Sequence, residues 1–372
     1  MSTNTSERTE LVSFNPATGE AVDTVPVTAA QDMPAIVERA RTAQVAWSKL
    51  SIQERAEIMK PIGARLAEEA QRIGEILTRE MGKPLAEGVG EVGYAASSWT
   101  EDIDEIIAAV APQALEDDNR STTLYFDPLG VCAAITPWNF PILMPHQAVL
   151  PGLISGNTII LKPSEETPLC AQAYCDVINE FLPEGVLQII HGDEVQGKAL
   201  VSADIDLIVF TGSKSAGEHI LGSASNGLKR VILELGGKDP MVVLEGADLD
   251  AAVAFGVRNA FRNAGQVCVS TERIYVDEKI ADDFEARFVE KTRELIQGNG
   301  MDDGVAIGPM ITTNQKELVT AQIEEAISDG ATVLHGGGAG EGNFVPLTVL
   351  TGLSHDMRIM RDETFGPVAC IQ

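Results

Sequence analysis

Two motifs in this sequence combine a soft nucleophile with a carboxylate that has the chemistry of a general base. Cys268 lies in the run Gly265-Gln266-Val267-Cys268, and Glu234 opens the run Glu234-Leu235-Gly236-Gly237-Lys238 after a short apolar segment. A thiolate and a base are together the groups that form, hold and hydrolyse a thioester. A lone cysteine is commonly a small buried hydrophobe, so the surrounding motifs must decide between these interpretations.

Short apolar strands alternate with amphipathic helices along most of the chain. Helical periodicity covers residues 28–107, where Pro61 and Pro84 interrupt it. The runs interpreted as strands of one sheet are residues 131–135, 158–161, 186–190, 207–210 and 231–233. This alternation predicts an α/β fold with a Rossmann-like open parallel sheet covered on both faces. A second α/β run begins at Met241 and contains the Cys268 loop.

Composition argues against several classes of protein. The net charge of -28, from 27 basic and 55 acidic residues, repels polyphosphates, so we expect no nucleic-acid partner. The five cysteines and five histidines are scattered without ligand spacing. We therefore expect no metal site and a reducing, cytoplasmic compartment. Residues 1–10 lack the apolar core of a secretion signal, and no apolar run has the length that spans a bilayer, so we expect no membrane association.

Two glycine-rich runs look like cofactor motifs but lack the required context. Gly88-Val89-Gly90-Glu91-Val92-Gly93 matches the dinucleotide fingerprint, yet it lies inside a charged helical stretch with no strand before it. We expect these glycines to serve close helix–helix packing instead. Gly336-Gly337-Gly338-Ala339-Gly340 separates the strand-like runs 331–334 and 344–350 and predicts a flexible loop.

A better nucleotide site is predicted where the run 207–210 ends. Gly212 and Ser213 follow this strand and open a helix that contains Gly217. Backbone N–H groups and the dipole at a helix start favour a phosphate, and the Ser213 hydroxyl adds a further hydrogen-bonding group. A plain strand-to-helix turn is the alternative.

Lys162 and Glu165 follow the run 158–161, at the sheet edge where open α/β sheets bind ligands. A carboxylate there accepts from both hydroxyls of an adenine ribose and repels a 2′-phosphate, which predicts NAD in preference to NADP. The alternative is a solvated turn, since Lys-Pro-Ser-Glu is a good turn sequence.

Asn139 follows the first strand of the predicted sheet, in the run Thr136-Pro137-Trp138-Asn139-Phe140-Pro141. Its amide donates a hydrogen bond without carrying charge, which suits a developing alkoxide because the anion is stabilised without being protonated. The alternative is an Asn turn beside an aromatic core residue.

With these runs in place, the chain resembles the aldehyde dehydrogenase superfamily over essentially all 372 residues. Six motifs occur in that family's order, which makes the resemblance specific. They are Pro137-Trp138-Asn139-Phe140-Pro141, Leu161-Lys162-Pro163-Ser164-Glu165, Phe210-Thr211-Gly212-Ser213 through Gly217, Glu234-Leu235-Gly236-Gly237-Lys238, Gly265-Gln266-Val267-Cys268 and Glu363-Thr364-Phe365-Gly366-Pro367.

The resemblance implies oxidation of an aldehyde to a carboxylic acid with NAD(P). Cys268 is implied as the nucleophile, Glu234 as the base that activates water for deacylation, and Asn139 as the oxyanion donor together with the Cys268 N–H. Because members that transfer the acyl group to coenzyme A usually lack a base at the Glu234 position, hydrolytic release is favoured.

The resemblance also implies a set of cofactor contacts. Lys162 and Glu165 resemble the adenine-ribose contacts, and Gly212 and Ser213, in the motif that ends at Gly217, resemble the pyrophosphate contacts. The remaining implied contacts are Glu363 at the nicotinamide ribose, Phe365 near the nicotinamide ring and Trp138 in the turn beneath the cofactor.

Four segments follow from the motifs and the resemblance. Residues 1–112 are expected to be the helical N-terminal part of the cofactor domain, and residues 113–128 a bridging and oligomerisation hairpin. Residues 129–236 are expected to be the dinucleotide-binding domain and residues 237–372 an incomplete catalytic domain. The sequence ends inside an apolar run, so we expect it to be truncated, and the full-length protein to be a homodimer or homotetramer.

Two other functions remain open at this stage. The chain could be a non-catalytic nucleotide-binding remnant, or a thioesterase-like hydrolase that uses Cys268 and Glu234 without redox chemistry. Which aldehyde is oxidised stays undefined. The helix after the Asn139 motif carries His146 and Gln147 but no arginine, which disfavours a dicarboxylic semialdehyde because relatives specific for succinate semialdehyde commonly have an arginine there.

Overall fold

The structure is a computed structural model that describes residues 9–117 and 119–372, without the side chain of Asp117. The helices are α1 (Met33–Trp47), α2 (Ile52–Met59), α3 (Pro61–Met81), α4 (Leu85–Ala109), α5 (Leu143–Ile154), α6 (Pro168–Asn179), α7 (Glu194–Ser202), α8 (Lys214–Ala224), α9 (Leu249–Phe261), α10 (Ala281–Arg293) and α11 (Thr313–Ser328). The strands are β1 (Glu10–Phe14), β2 (Ala21–Pro26), β3 (Gln113–Asp117), β4 (Arg120–Leu124), β5 (Val131–Ile135), β6 (Thr158–Lys162), β7 (Leu187–Ile189), β8 (Leu207–Thr211), β9 (Arg230–Glu234), β10 (Asp239–Val243), β11 (Thr271–Val276), β12 (Thr332–His335), β13 (Thr348–Thr351) and β14 (Val368–Ile371).

These elements form two compact units. In the described part of the chain, the first contains residues 9–13, 23–77 and 88–234, and the second contains residues 14–22, 78–87 and 235–372. The finer division into four segments stays a prediction.

The first unit is built on a five-stranded sheet of order β7-β6-β5-β8-β9, in which every neighbouring pair is parallel. The predicted Rossmann-like sheet is therefore confirmed. All five residues of β6 are buried, and its middle residues 159–161 are apolar with no polar residue alternating between them. Helix α7 and the hairpin of β1 and β2 were not predicted.

Prolines and caps explain where the N-terminal helices begin. Helix α3 starts at Pro61 and α4 directly after Pro84, because proline tolerates the first turn of a helix but not its interior. Helix α2 has a capping box in which Ser51 and Glu54 exchange hydrogen bonds between side chain and backbone.

The glycine run in residues 88–93 is helical, as part of α4, so its rejection as a dinucleotide fingerprint is correct. The expected packing role is wrong for two of its members, because a Cβ at Gly90 or Gly93 would meet nothing within 4 Å. The close approach occurs instead at Gly74 of α3, where a Cβ would lie 2.7 Å from the backbone of Val89.

Strands β3 and β4 pair as an antiparallel hairpin, with Gln113 opposite Leu124. Large apolar side chains on and beside it face solvent, among them Leu115 (60% exposed) and Tyr125 (67% exposed). This segment buries little of its own apolar surface.

The second unit has a mixed sheet of order β10-β11-β14-β13-β12, parallel except where β12 meets β13. Its core includes a cluster of aromatic rings in which Phe288 lies 5.6 Å from Phe284 and 6.2 Å from Phe261, centroid to centroid.

Strand β13 begins at Thr348, later than the expected residue 344. Pro346 lacks the N–H that a ladder position requires, so pairing starts only beyond it. The loop at 336–340 connects β12 to β13, as expected.

Candidate active site

The loop that carries Cys268 is fixed by a sharp backbone turn and by a buried glutamine side chain. Asn263, Ala264 and Gly265 have φ values of 54°, 56° and 70°, which turn the chain sharply after α9. Gln266 is fully buried. Its side chain donates to the Asn263 carbonyl at 2.9 Å and accepts from the Ile311 N–H at 3.0 Å. Because the Gln266 side chain is buried and hydrogen-bonded, it anchors the loop and fixes the position of Cys268 two residues further on.

Cys268 is the one cysteine of five that is not buried. Partial burial nevertheless raises the pKa of the thiol, and the nearby Glu363 carboxylate raises it further, although the N–H groups of Cys268 and Val269 lower it. The sequence left open what activates this thiol. Within the second unit, the surroundings of Cys268 favour the protonated form, so deprotonation requires a base or a further positive charge.

Glu363 lies against the glycine pair that follows Glu234. A Cβ at Gly236 would lie 2.3 Å and 2.5 Å from the two carboxylate oxygens of Glu363, and the Gly237 N–H donates to Glu363 Oε1 at 3.3 Å. Gly237 also adjoins the cysteine loop, because its Cβ would lie 3.1 Å from the Cys268 carbonyl oxygen. The second unit thus brings Cys268 and Glu363 together, on either side of a backbone segment that only glycine permits.

Phe365 has a φ of 52°, a left-handed conformation that a residue with a Cβ seldom adopts. Its carbonyl accepts from Gln315 Nε2 at 3.2 Å. The cysteine loop meets this segment closely, since a Cβ at Gly265 would lie 2.0 Å from the Gly366 carbonyl oxygen. Glycine at 265 is therefore required both by its φ and by the space available.

In the first unit, Lys162 and Glu165 lie together at the carboxyl end of β6. Lys162 Nζ is 3.6 Å from Glu165 Oε2 and donates to the Pro163 carbonyl at 3.0 Å. The Lys162 side chain is 6% exposed, whereas that of Glu165 is 42% exposed. Burial lowers the pKa of Lys162, and the Glu165 charge partly offsets this shift. Glu165 is thus the more accessible of the two groups.

The β8–α8 turn has the predicted form. Ser213 is the N-cap of α8, where its hydroxyl accepts from the Ala216 N–H at 3.3 Å, and Gly217 is buried in the first turn. The Gly212 N–H donates to the Glu234 carbonyl at 3.0 Å, which places the predicted phosphate turn beside the end of β9. Glu234 is therefore brought next to Gly212 within this unit.

The carboxyl end of β6 and the β8–α8 turn border one cavity of about 720 Å³, which is within the range of small-ligand sites. Its polar lining includes Lys162, Glu165 and Ser215. Ile135, Val201, Phe210 and Ile220 supply apolar walls on which a flat base can pack. The residues present thus fit the adenosine half of a dinucleotide, with the start of α8 available for a phosphate.

Asn139 is 4% exposed, in the loop between β5 and α5, and Trp138 beside it is half-buried. The start of α5 is held by a residue that the sequence did not identify. Glu91 Oε1 accepts from the Ile142 N–H at 2.9 Å and from the Leu143 N–H at 3.0 Å. A buried carboxylate at a helix N-terminus satisfies free N–H groups and complements the helix dipole. Glu91 lies in the glycine run 88–93 of α4. The only sequence signal for its role was a carboxylate on the buried face of that helix.

The predicted residues thus form two groups. Asn139, Lys162, Glu165, Gly212, Ser213 and Glu234 lie at strand ends of the first unit, and Cys268, Glu363 and Phe365 lie together in the second. Convergence of Cys268 with Glu234 stays a prediction. Among residues 9–117 and 119–372 there is no group of three or more His, Cys, Asp or Glu side chains arranged to bind a metal. In the same ranges, no helix combines the length and the apolar character needed to cross a bilayer.

A parallel sheet with a nucleotide cavity at its carboxyl edge, joined to a second α/β unit with an accessible cysteine, is typical of a dinucleotide-dependent oxidoreductase. The sequence profile of the aldehyde dehydrogenase family matches residues 3–372. The chain belongs to this family.

Individual relatives agree with this assignment. The chain is 39% identical over 364 residues to a probable succinate-semialdehyde dehydrogenase [NADP(+)] of Sinorhizobium fredii, and the match covers 96% of this chain and 74% of that one. It is 35% identical to a betaine aldehyde dehydrogenase of Rhizobium johnstonii, with 98% and 76% covered. The crystal structure of an NAD-dependent aldehyde dehydrogenase from Sinorhizobium meliloti superposes with a TM-score of 0.94 at 34% identity, with 98% and 74% covered.

The class predicted from the sequence is confirmed. The protein is an NAD(P)-dependent oxidoreductase that oxidises a small-molecule aldehyde to a carboxylic acid. The alternative of a non-catalytic remnant finds no support in these relatives, each of which is named as a dehydrogenase.

Proposed function

We propose that the oxidation proceeds through a thioester on Cys268, that Asn139 stabilises the oxyanion, and that Glu234 is the base for hydrolysis. The observation that carries the proposal is the cysteine loop. The buried Gln266 side chain anchors this loop, and Cys268 is its accessible sulfur, next to Gly237 and separated from Glu363 by the glycine segment. Family membership supports the assignment of the other two roles.

The chemistry divides into two stages. The Cys268 sulfur, already deprotonated to the thiolate, attacks the aldehyde carbon, and the Asn139 amide and the Cys268 N–H donate to the oxygen, which becomes an alkoxide. A bound NAD(P) would supply the acceptor for the hydride that leaves this carbon. The carbon then remains on Cys268 as a thioester. Glu234 takes a proton from water, the resulting hydroxide attacks the thioester, and the carboxylic acid departs as the Cys268 thiolate reforms.

The cofactor contacts are part of the same proposal. Lys162 and Glu165 would hold the adenine ribose, and Gly212, Ser213 and Gly217 the pyrophosphate. Support comes from the shared cavity and from the N-terminus of α8, which begins at Ser213. In the second unit, Glu363 would hold the nicotinamide ribose and Phe365 would lie near the nicotinamide ring. In the first unit, Trp138 would line the turn beneath the cofactor.

We infer that NAD is preferred over NADP. The cavity contains three carboxylates, Glu165, Asp193 and Glu194, and each lysine that lines it is paired with one of them. A 2′-phosphate would therefore meet uncompensated negative charge.

We also propose that the protein assembles as a homodimer or homotetramer through the β3–β4 hairpin. The exposed apolar side chains of Leu115, Leu124, Tyr125 and Phe126 support this role. Size-exclusion chromatography with light scattering tests it: a Leu115→Asp/Tyr125→Asp variant is expected to dissociate. Wild-type size in the variant would contradict the role of the hairpin.

The free cysteines support a reducing compartment, and a cytoplasmic location stays a prediction.

Pre-steady-state kinetics test the mechanism. Glu234→Gln is expected to retain a burst of about one NADH per site and to lose about a hundredfold or more in the following rate, since hydrolysis is slowed. Cys268→Ser is expected to lose the burst. An unchanged steady-state rate in Glu234→Gln would contradict its role as the base. Ester hydrolysis without cofactor and no NADH production with any aldehyde would instead indicate the thioesterase-like alternative.

A panel of aldehydes tests the substrate class. The absence of arginine beside His146 and Gln147 predicts weaker turnover of dicarboxylic semialdehydes than of neutral aldehydes. Succinate semialdehyde as the best substrate of the panel would show that prediction to be wrong.

A further inference from the structure

A buried ion pair lies beside the Glu363 loop and takes no part in the chemistry proposed above. The side chains of Lys238 and Glu272 are 9% and 4% exposed, and Lys238 Nζ lies 2.6 Å from Glu272 Oε2. Removing two charges from water costs more than their mutual attraction offsets unless further hydrogen bonds satisfy both groups. Such a pair is therefore poor evidence of stabilisation, and its other partners indicate its role.

Glu272 binds the backbone that directly follows Glu363. Its Oε2 accepts from the Thr364 N–H at 2.9 Å, and its Oε1 accepts from the Phe365 N–H at 2.8 Å. Phe365 is the residue with a φ of 52°, so the carboxylate holds a conformation that the chain does not favour by itself. Because Glu272 projects from β11, the loop is attached to a strand in the middle of the sheet.

Lys238 and Gln322 complete the attachment. Lys238 Nζ also donates to Thr364 Oγ1 at 2.8 Å, and that hydroxyl donates to Gln322 Oε1 at 2.9 Å. Gln322 Nε2 in turn donates to the Glu363 carbonyl at 3.1 Å. The network therefore ends on the backbone of Glu363 itself.

The pair also balances charge around the Glu363 carboxylate. Burial raises the pKa of Glu363 and the Gly237 N–H lowers it, while the Glu272 charge raises it and the Lys238 charge lowers it. Losing only one member of the pair would leave a single uncompensated charge beside Glu363. The pair therefore holds the loop while its two charges act on the Glu363 carboxylate in opposite directions.

We propose that Glu272, together with Lys238, is a positioning residue that fixes the Glu363 carboxylate for the nicotinamide ribose of the cofactor. The inference rests on the proposed role of Glu363 as a cofactor contact. Glu272 acts through the Thr364 and Phe365 N–H groups and has no direct contact with cofactor assigned to it.

NAD binding, measured by calorimetry, and the unfolding temperature test this role in four variants. Glu363→Gln measures the contribution of the carboxylate itself. Glu272→Gln keeps the shape of the side chain but removes its charge, and it places an amide NH₂ group, which is a donor, against the Lys238 ammonium or the loop N–H groups. The double variant Lys238→Met/Glu272→Met removes both charges and every acceptor for the loop. Phe284→Leu, in the buried core of the same unit, is the control for a loss of stability alone.

Glu272→Gln is expected to weaken NAD binding about tenfold or more, because hydrogen bonds to a charged acceptor are lost. The aldehyde KM is expected to stay unchanged. The double variant is expected to recover unfolding temperature relative to Glu272→Gln, since apolar side chains replace a buried pair, but not NAD affinity. Phe284→Leu is expected to lower the unfolding temperature with wild-type NAD affinity.

Two results would overturn the inference while leaving the role of Glu363 intact. One is weakened NAD binding in Glu363→Gln with wild-type binding in Glu272→Gln. The other is recovery of both unfolding temperature and NAD affinity in the double variant, which would show that the pair affects stability only. Wild-type NAD affinity in Glu363→Gln would instead refute the cofactor role of Glu363.

Discussion

Substituting Gly236 by alanine should weaken cofactor binding by displacing one carboxylate. An added Cβ would lie 2.3 Å from Glu363 Oε2, whereas ordinary contacts begin near 3.4 Å. The carboxylate must therefore retreat by about 1 Å, since the difference is 3.4 minus 2.3. The φ of Gly236 lies outside the left-handed range, so this clash, and not left-handed backbone strain, is the expected effect.

The size of the effect follows from the contacts at stake. The Gly237 N–H reaches Glu363 Oε1 at 3.3 Å, so a shift of that size breaks the bond. The hydrogen bond that we propose between Glu363 and a ribose hydroxyl would be lost in the same movement. Bonds to charged groups are worth about 1.5–3 kcal/mol, which corresponds to an NAD dissociation constant about ten- to a hundredfold higher.

A double-mutant cycle assigns the effect to Glu363. NAD affinity is measured by calorimetry in the wild type, Gly236→Ala, Glu363→Ala and the double variant. In the Glu363→Ala background the carboxylate is absent, so the Gly236 substitution should cost little. Gly93→Ala is the matched control, because a Cβ there meets nothing within 4 Å.

The reasoning fails if Gly236→Ala binds NAD like the wild type, which would mean that Glu363 adapts without loss. It also fails if the Gly236 substitution costs as much in the Glu363→Ala background, because the added methyl group would then act on something other than the carboxylate.

Three further predictions concern other parts of the molecule. Glu165→Gln should raise the NADP-to-NAD ratio of kcat/KM about tenfold, because it removes a charge that repels the 2′-phosphate; an unchanged ratio would argue against that role. Without cofactor, iodoacetamide should alkylate Cys268 with a pH midpoint above the ordinary thiol value of about 8.5, and Glu363→Gln should lower that midpoint, as followed by mass spectrometry. A midpoint that does not move would contradict the charge coupling. Burial lowers the pKa of His191 from 6.5 to about 4, so the stability it contributes is present above pH 6.5 and is lost as pH falls toward 4. The wild type should therefore lose more unfolding temperature than His191→Gln between pH 7 and pH 5, and equal losses would refute this.

Local patterns predicted the first sheet well because its strands β5 and β6 are buried on both faces. Strand β5 is apolar throughout and β6 is apolar at residues 159–161, and the sequence places both strands within a residue of their observed ends. Helix α7 was missed because it is nine residues long and contains Gly197, so its periodicity is weak. Strand β13 was placed too early because apolar character extends across Pro346, where pairing is impossible.

The sequence by itself determined the family and identified the residues that we propose for the chemistry. Cys268, Glu234 and Asn139 lie in short motifs whose spacing does not depend on distant parts of the chain. The tertiary structure alone decided which side chains support them. Glu91 binds the start of α5 across 51 residues, and Glu272 binds Thr364 across 92. No local pattern contains such a contact, because it exists only once helices and strands have packed and brought a buried carboxylate to backbone N–H groups that require an acceptor.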